Sequence, residues 1–236
     1  MRKISVFIAG IAALLLLSCK NEDAEKPKVI YQKPNAQSDA PKTSDIEIAD
    51  LPIQIPGTDI LLHPIGNYRV EGRRKASDGY EKGSFTISNF SELELTGYLQ
   101  NIKFQTSDTD SIVALTDKPV LIQTATILRN AAEKSRQQVV VYTLADQDTN
   151  QDQRIDASDI RSLYLSTIEG KNFIKISADL QELIDWNLVE PKGRLYFRTI
   201  EDTNKNGEFD SNDVLHYQYV DLTTAQWKVE NYNPVR

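Results

Sequence analysis

The chain has 236 residues, of which 40% are hydrophobic, and it carries a formal net charge of −7 at pH 7. This length suffices for one sizeable domain or two small ones that share a core. The acidic balance argues against a nucleic-acid or anionic-lipid partner. Because the sequence contains one cysteine, a disulfide within the chain is excluded.

Residues 1–18 have the pattern of an export signal. Two basic residues, Arg2 and Lys3, precede an apolar run that ends at Leu17 and is too short for a typical membrane-spanning helix. The run is followed by Ser18 and Cys19, and this ending resembles the lipobox of bacterial lipoproteins. The resemblance implies cleavage before Cys19 and lipidation of that residue. An uncleaved anchor helix is the alternative.

The stretch after Cys19 is charged and similar to the surface-export signal of lipoproteins in the phylum Bacteroidota. The resemblance implies a lipid anchor in the outer membrane with display at the cell surface, and the periplasmic face is the alternative. Residues 19–45 are polar and contain three prolines, so we predict a flexible linker. Loss of Arg2 and Lys3 with the signal changes the net charge from −7 to −9.

Residues 46–236 are predicted to form a mainly β, antiparallel domain, because short runs rich in β-branched and aromatic residues recur along them. The clearest runs are Ile60–His63, Ser84–Ser88, Asn101–Gln105, Ser111–Leu115, Val139–Thr143 and Arg194–Arg198. A helix is plausible only over Val120–Arg136, and a single helical turn is expected from Asp159 to Leu163. For Asp179–Trp186 a helical turn and a strand remain open.

Two acidic segments of twelve residues, Asp148–Asp159 and Asp202–Asp213, have the spacing of calcium ligands. Ca²⁺ takes six to eight oxygens, and a twelve-residue loop supplies them from positions 1, 3, 5, 7, 9 and 12. In the first segment, here loop one, the ligands are Asp148, Asn150, Asp152, the backbone carbonyl of Arg154, Asp156 and Asp159. In the second, loop two, they are Asp202, Asn204, Asn206, the backbone carbonyl of Glu208, Asp210 and Asp213.

Both loops resemble EF-hand loops, and more closely the dockerin kind, in which aspartate closes the loop and position 8 is apolar. Ile155 and Phe209 occupy position 8 here. Loop one departs from the family at position 6, where Gln153 replaces the glycine of the sharp turn. The resemblance implies two Ca²⁺ ions per chain, and polar hairpin turns without metal are the alternative.

The flanks of both loops have strand patterns, so we expect the loops to join strands. The two loops also mark an internal repeat of about fifty residues, with units at about 139–180 and 181–236. The first unit resembles a TolB-like β-propeller blade, which implies an incomplete propeller with each loop between the second and third strands of a unit. A β-sandwich of similar hairpins is the alternative.

No catalytic motif stands out. The two histidines, His63 and His216, lack ligand partners in sequence, and no nucleophile elbow, phosphate loop or dinucleotide fingerprint is present. We therefore predict a calcium-binding lipoprotein that acts as a binding or structural module, with a glycan or protein as possible ligand. The alternatives are a glycan- or peptide-processing hydrolase with structural calcium, and docking through the loops. The hydrolase would use carboxylates such as Glu182, Asp185, Glu190 and Asp221, whereas a binding face would use the aromatic residues Trp186, Tyr196, Tyr217, Tyr219, Trp227 and Tyr232.

Overall fold

The computed structural model describes residues 26–31, 46–70, 83–129 and 138–235. The predicted signal segment and Cys19 lie outside these ranges. The described residues form seventeen β-strands and one short 3₁₀ helix, Glu190–Lys192, and contain no α-helix. The strands are β1 (Glu47–Ala49), β2 (Ile53–Gln54), β3 (Ile60–Asn67), β4 (Arg69–Val70), β5 (Gly83–Ser84), β6 (Ser88–Ser91), β7 (Glu94–Leu99), β8 (Asn101–Thr106), β9 (Val113–Ala114), β10 (Leu121–Leu128), β11 (Val139–Ala145), β12 (Ser162–Thr167), β13 (Ile174–Lys175), β14 (Gln181–Val189), β15 (Arg194–Glu201), β16 (Val214–Asp221) and β17 (Val229–Asn231).

These strands form three antiparallel sheets and a two-stranded ribbon of β4 and β5. The N-terminal sheet has the order β1-β3-β8-β9, with β2 also paired to β3. The middle sheet has the order β13-β12-β11-β10-β7-β6, and the C-terminal sheet has the order β14-β15-β16-β17. The prediction of a mainly β, antiparallel fold is therefore confirmed.

The middle sheet is packed on both faces. All seven residues of β11 are buried, and successive residues point to opposite faces of a strand. Val140, Tyr142 and Leu144 belong to the core shared with the N-terminal sheet. Val139 and Val141 belong to the core shared with Leu195 and Phe197 of the C-terminal sheet. This double burial explains why β11 is an apolar run without alternation.

Most of the predicted strands are confirmed, but the helix considered for the segment from Val120 is wrong. The segment from Val120, for which a helix was plausible, forms β10 instead, paired with β11 from Leu121↔Ala145 to Leu128↔Val139. The β-branched residues Thr124, Thr126 and Ile127 fit a strand better than a helix. Residues 130–136 lie outside the described ranges.

Two other local predictions are wrong wholly or in part, and one open alternative is resolved. The helical turn expected from Asp159 to Leu163 is absent, and β12 begins at Ser162. The segment left open at Asp179–Trp186 contributes to strand β14. The strand predicted over Ser84–Ser88 is interrupted, because only Ser84 and Ser88 belong to strands, β5 and β6.

Each acidic loop joins the second and third strands of a four-stranded meander. Loop one connects β11 to β12 in the run β10-β11-β12-β13, and loop two connects β15 to β16 in the run β14-β15-β16-β17. The middle sheet extends its meander with β7 and β6. The structure therefore places both loops between strands, as their flanking patterns predict.

Residues 26–31 differ from the free linker that their composition predicts. Val29 is buried, with 4% of its surface exposed, and the backbone of this segment bonds to both acidic loops. We call residues 26–31 the strap.

In the described parts of the chain, no helix has the length and hydrophobicity that a membrane crossing requires.

Candidate metal centre

The position 1 aspartates organise the first half of each loop in the same way. In loop one, Asp148 accepts the N–H groups of Asp152 at 3.1 Å and Gln153 at 2.8 Å. In loop two, the equivalent Asp202 accepts the N–H groups of positions 5 and 6 at 3.2 and 2.8 Å. Both carboxylate oxygens of each aspartate are thereby turned toward the interior of its loop.

Positions 3, 5 and 9 repeat one local motif. The side-chain oxygen at each position accepts the backbone N–H two residues further on, which is an Asx turn. The distances are 3.0, 2.9 and 2.8 Å in loop one and 2.9, 2.8 and 2.7 Å in loop two. The side chains concerned are Asn150, Asp152 and Asp156 in loop one and Asn204, Asn206 and Asp210 in loop two.

The position 12 aspartates close the loops. Asp159 accepts the N–H of Thr149 at 2.7 Å and of Asp156 at 2.9 Å, and also the N–H of Asn150 and the hydroxyl of Thr149. Asp213 accepts the N–H groups of its own loop positions 2 and 9 at 3.2 and 2.9 Å. Both aspartates therefore tie the beginning of the loop to its end.

The two closing aspartates differ in their surroundings. Asp159 is fully buried, and this burial raises the pKa of its carboxyl, although the hydrogen bonds from the loop backbone act in the opposite direction. Asp213 is only half-buried. Loop one thus holds the more enclosed carboxylate, and that carboxylate depends more strongly on its hydrogen-bond donors.

Backbone angles are also shared by the loops. Positions 4 and 6 have positive φ in both: Gln151 +61° and Gln153 +70° in loop one, Lys205 +58° and Gly207 +85° in loop two. The glycine position of the family is therefore left-handed even where Gln153 occupies it. A non-glycine residue in this conformation costs roughly 1 kcal/mol.

The strap crosses both loops. The N–H groups of Lys28 and Ile30 donate to loop one, at Ser158 O (3.3 Å) and Thr149 O (2.9 Å), whereas that of Val29 donates to Gly207 O in loop two (3.3 Å). The Tyr31 hydroxyl donates to the backbone oxygen of Asp202 at 3.4 Å. Partial burial and the nearby Asp202 carboxylate raise the pKa of Tyr31 to about 12.

Comparison with models of protein families, with curated proteins and with solved structures finds no match to this chain.

The donor set of the loops fits a hard cation. The predicted side-chain ligands offer carboxylate and amide oxygens and no sulfur or imidazole, which suits Ca²⁺ rather than a transition metal. Among the described residues, no three His, Cys, Asp or Glu side chains are gathered closely enough to hold a metal ion by themselves. Each predicted site accordingly relies on amide and carbonyl oxygens as well as carboxylates, at positions 3 and 7 of loop one and positions 3, 5 and 7 of loop two.

Three of the four carboxylates considered for hydrolysis lie next to arginine side chains. Glu182 is buried and bonds to the Arg161 side chain, and Asp185 forms a two-pronged pair with Arg198. Asp221 lies 4.0 Å from the Arg194 guanidinium. Glu190 is exposed in the 3₁₀ helix. Glu182, Asp185 and Asp221 are therefore engaged in arginine–carboxylate pairs.

The aromatic candidates divide into two groups. Trp227 is buried between the middle and C-terminal sheets, and Trp186 packs against the same core. The four tyrosines form one cluster with centroid distances of 5.2 to 6.2 Å. The cluster consists of Tyr196, Tyr217, Tyr219 and Tyr232, and it is half-buried on the outer face of the C-terminal sheet.

The two histidines form side-chain hydrogen bonds. His63 Nε2 lies 2.9 Å from the Gln105 amide oxygen, and His216 Nε2 lies 2.8 Å from a Glu201 carboxylate oxygen. These contacts join neighbouring strands, since His63 is on β3 and Gln105 on β8, while His216 is on β16 and Glu201 on β15. Both residues therefore have a structural part in the sheets.

Proposed function

We propose that this protein binds two Ca²⁺ ions, one in each acidic loop, and acts as a calcium-stabilised binding or structural module. The observation that carries the proposal is the correspondence between the loops. Seven side-chain hydrogen bonds recur at the same positions of both loops, and the same two positions have positive φ. A polar turn requires only three or four such residues, not twelve in register.

The bound ion would supply two positive charges among the carboxylates of each loop. Loop one carries four aspartates, and loop two carries three aspartates and Glu208. Clustered carboxylates repel one another, and this repulsion opposes the closed loop. The Asx turns at positions 3, 5 and 9 preset the oxygen directions, so little further ordering is needed for binding. We therefore assign the metal a stabilising role at the β11–β12 and β15–β16 connections.

The same proposal includes delivery to the outer membrane through lipidated Cys19. Its support is the sequence around Cys19, where an apolar run ends in Leu-Leu-Ser-Cys, and the absence of any other cysteine. A lipid anchor followed by a tether would display the β domain beside a membrane. Extracellular calcium near millimolar would fill sites with dissociation constants of about 10⁻⁴ M.

A second candidate function is recognition of a glycan or protein ligand on the outer face of the C-terminal sheet. The observation that favours it is the tyrosine cluster, which lies beside Arg194 and Arg198. Aromatic rings with adjacent charged groups are typical of binding surfaces. The hydrolase alternative gains no comparable support, since Glu182, Asp185 and Asp221 each pair with an arginine. The fourth carboxylate, Glu190, is exposed in the 3₁₀ helix.

The test is a calorimetric titration of Ca²⁺ into the chelator-treated protein. Wild type should bind two ions, while Asp148→Ala and Asp202→Ala, a matched pair at position 1, should each bind one. A titration of Mg²⁺ provides the metal control, because Mg²⁺ requires a tighter octahedral site. Absence of binding in wild type at millimolar Ca²⁺ would refute the proposal.

A further inference from the structure

The strap is the strongest feature that calcium binding alone does not explain. It contains the run Val29-Ile30-Tyr31, an apolar segment within a stretch of otherwise polar sequence. Three consecutive backbone N–H groups, from Lys28 to Ile30, each donate to a loop carbonyl. The Gln151 side-chain amide donates in return to the Ile30 carbonyl. A tether without a docking role would leave these groups to water.

The strap alternates between the loops. Lys28 and Ile30 bond to loop one, and Val29, between them, bonds to loop two and buries its side chain. The alternating acceptors show that successive N–H groups of the strap point toward different loops, so one short segment contacts both. The strap is therefore a physical link between two loops whose first residues are 54 positions apart in sequence.

Gly207 shows that the fit at loop two is close. A Cβ atom added to this glycine would lie 2.6 Å from the backbone oxygen of Val29. Loop one has Gln153 at the same position, and the strap bonds to loop one at other residues, Thr149 and Ser158. The strap thus gives a reason for glycine in loop two that is independent of loop geometry.

We propose that the strap couples the two calcium sites, an inference that rests on the proposed function. Calcium in either loop strengthens docking of the strap, and the docked strap strengthens calcium binding in the other loop. The three carbonyls that accept from the strap, those of Thr149, Ser158 and Gly207, belong to the loops themselves. Any ligand that fixes the loop backbone fixes these acceptors. Coupling between sites is reciprocal, so strap docking strengthens calcium binding by the same factor.

Charge alone would have the opposite effect on strap docking. The lysines of the strap are attracted more strongly to acidic loops without calcium than to the same loops with calcium bound. Lys26 and Lys28 are both exposed, and no ion pair within the described residues includes either of them. Exposed charges are screened by salt. The hydrogen bonds and the buried Val29 therefore set the sign, and calcium should tighten the strap rather than release it.

The test uses the full chain in detergent and the single substitution Val29→Ser. Val235→Ser is the matched control, because Val235 is 73% exposed. A second variant, Ile30→Pro, removes the N–H that donates to Thr149 while leaving Val29 in place. Calorimetric Ca²⁺ titration should show weaker binding at both loops in the two strap variants, by about fivefold or more, and wild-type binding in Val235→Ser.

Proteolysis supplies an independent readout. A lysine-specific endoproteinase is added with calcium or with chelator, and the rate of cleavage after Lys28 is followed by mass spectrometry in each protein. The Lys228–Val229 bond, which has the same two residue types, serves as the internal reference. Calcium should slow cleavage at Lys28 relative to Lys228 in wild type, and it should have little effect in Val29→Ser.

The outcomes separate this inference from the proposed function. If the calcium affinity of each loop is the same in wild type, Val29→Ser and Ile30→Pro, the coupling is refuted and the proposed function is left intact. Tighter calcium binding in the strap variants would reverse its sign and also refute it. If wild type does not bind calcium, both the proposed function and the coupling are refuted.

Discussion

The substitution Asp159→Asn tests whether the position 12 side chain closes loop one. It keeps the size of the side chain, but it removes the charge and replaces one carboxylate oxygen with an NH₂ group. Asp159 accepts the N–H groups of Thr149, Asn150 and Asp156 and is fully buried. An asparagine can accept on one side only, so at least one of these donors loses its acceptor.

The expected cost follows from these bonds. A buried donor without a partner costs about 1–3 kcal/mol, and the bonds that remain lose the extra strength of a charged acceptor. We therefore expect Asp159→Asn to lower the free energy of unfolding by about 2–4 kcal/mol in chelator. The equivalent change in loop two, Asp213→Asn, should cost about 1 kcal/mol, because Asp213 is half-buried and water can replace lost bonds.

The assay is urea unfolding of wild type and both variants, first with chelator and then with calcium. Each variant loses one carboxylate charge, so with chelator the difference between the two variants reports mainly the hydrogen bonds and the burial of the closing side chains. Calcium should widen the gap between each variant and wild type. Equal losses below about 0.5 kcal/mol in both variants would show that the closing aspartates do not hold the loops. That result would contradict the geometry on which the metal sites rest.

Three further predictions follow from the same structure. Chelation should lower the melting temperature of wild type, because 1 mM Ca²⁺ at a dissociation constant of about 10⁻⁴ M adds roughly 1.4 kcal/mol per site, and an unchanged midpoint in scanning calorimetry would contradict this. Leu163→Ala should cost about 2–5 kcal/mol in urea unfolding, since Leu163 is fully buried, whereas Val113→Ala at a 61% exposed position should cost less than about 0.5 kcal/mol. The Arg198 guanidinium holds the pKa of Asp185 below its usual range, so this pair should stabilise the fold above about pH 4 and lose its effect as the pH falls further. Unfolding between pH 5 and 2.5 should therefore differ in pH dependence between wild type and Asp185→Asn, and identical curves would count against the pair.

The loops and their flanking strands could be predicted because their signals are local. Ligand spacing is fixed within twelve residues, and the strands beside the loops carry β-branched and aromatic residues. The two segments that contain the loops, β11-loop-β12-β13 and β15-loop-β16-β17, also have the same order of strands. The structure adds that the shared spacing corresponds to a shared hydrogen-bond scheme.

Two features of the fold depended on contacts distant in sequence. The segment around Thr124 and Thr126 has no strong local preference, and pairing with β11 and β7 makes it a strand. The stacking of three sheets could not be predicted either, although the unbroken apolar run of β11 is typical of a strand buried on both faces.

The docking of the strap could not be predicted, because the composition around it is typical of a flexible linker. Three apolar residues among prolines and lysines cannot form a core by themselves, so the sequence of this segment predicts a linker. Its acceptors lie in Thr149, Ser158 and Gly207, more than a hundred residues away. The Val29-Ile30-Tyr31 run was the one local indication of a docked segment.

The most direct test of the central claim is a crystal structure of the calcium-soaked protein with anomalous data at long wavelength. We predict two anomalous peaks, one contacted by side-chain oxygens of Asp148, Asn150 and Asp152 and by the Arg154 carbonyl. The second should contact the equivalent atoms of Asp202, Asn204, Asn206 and Glu208. Ordered loops without peaks at millimolar calcium, or peaks at other carboxylates only, would contradict the account.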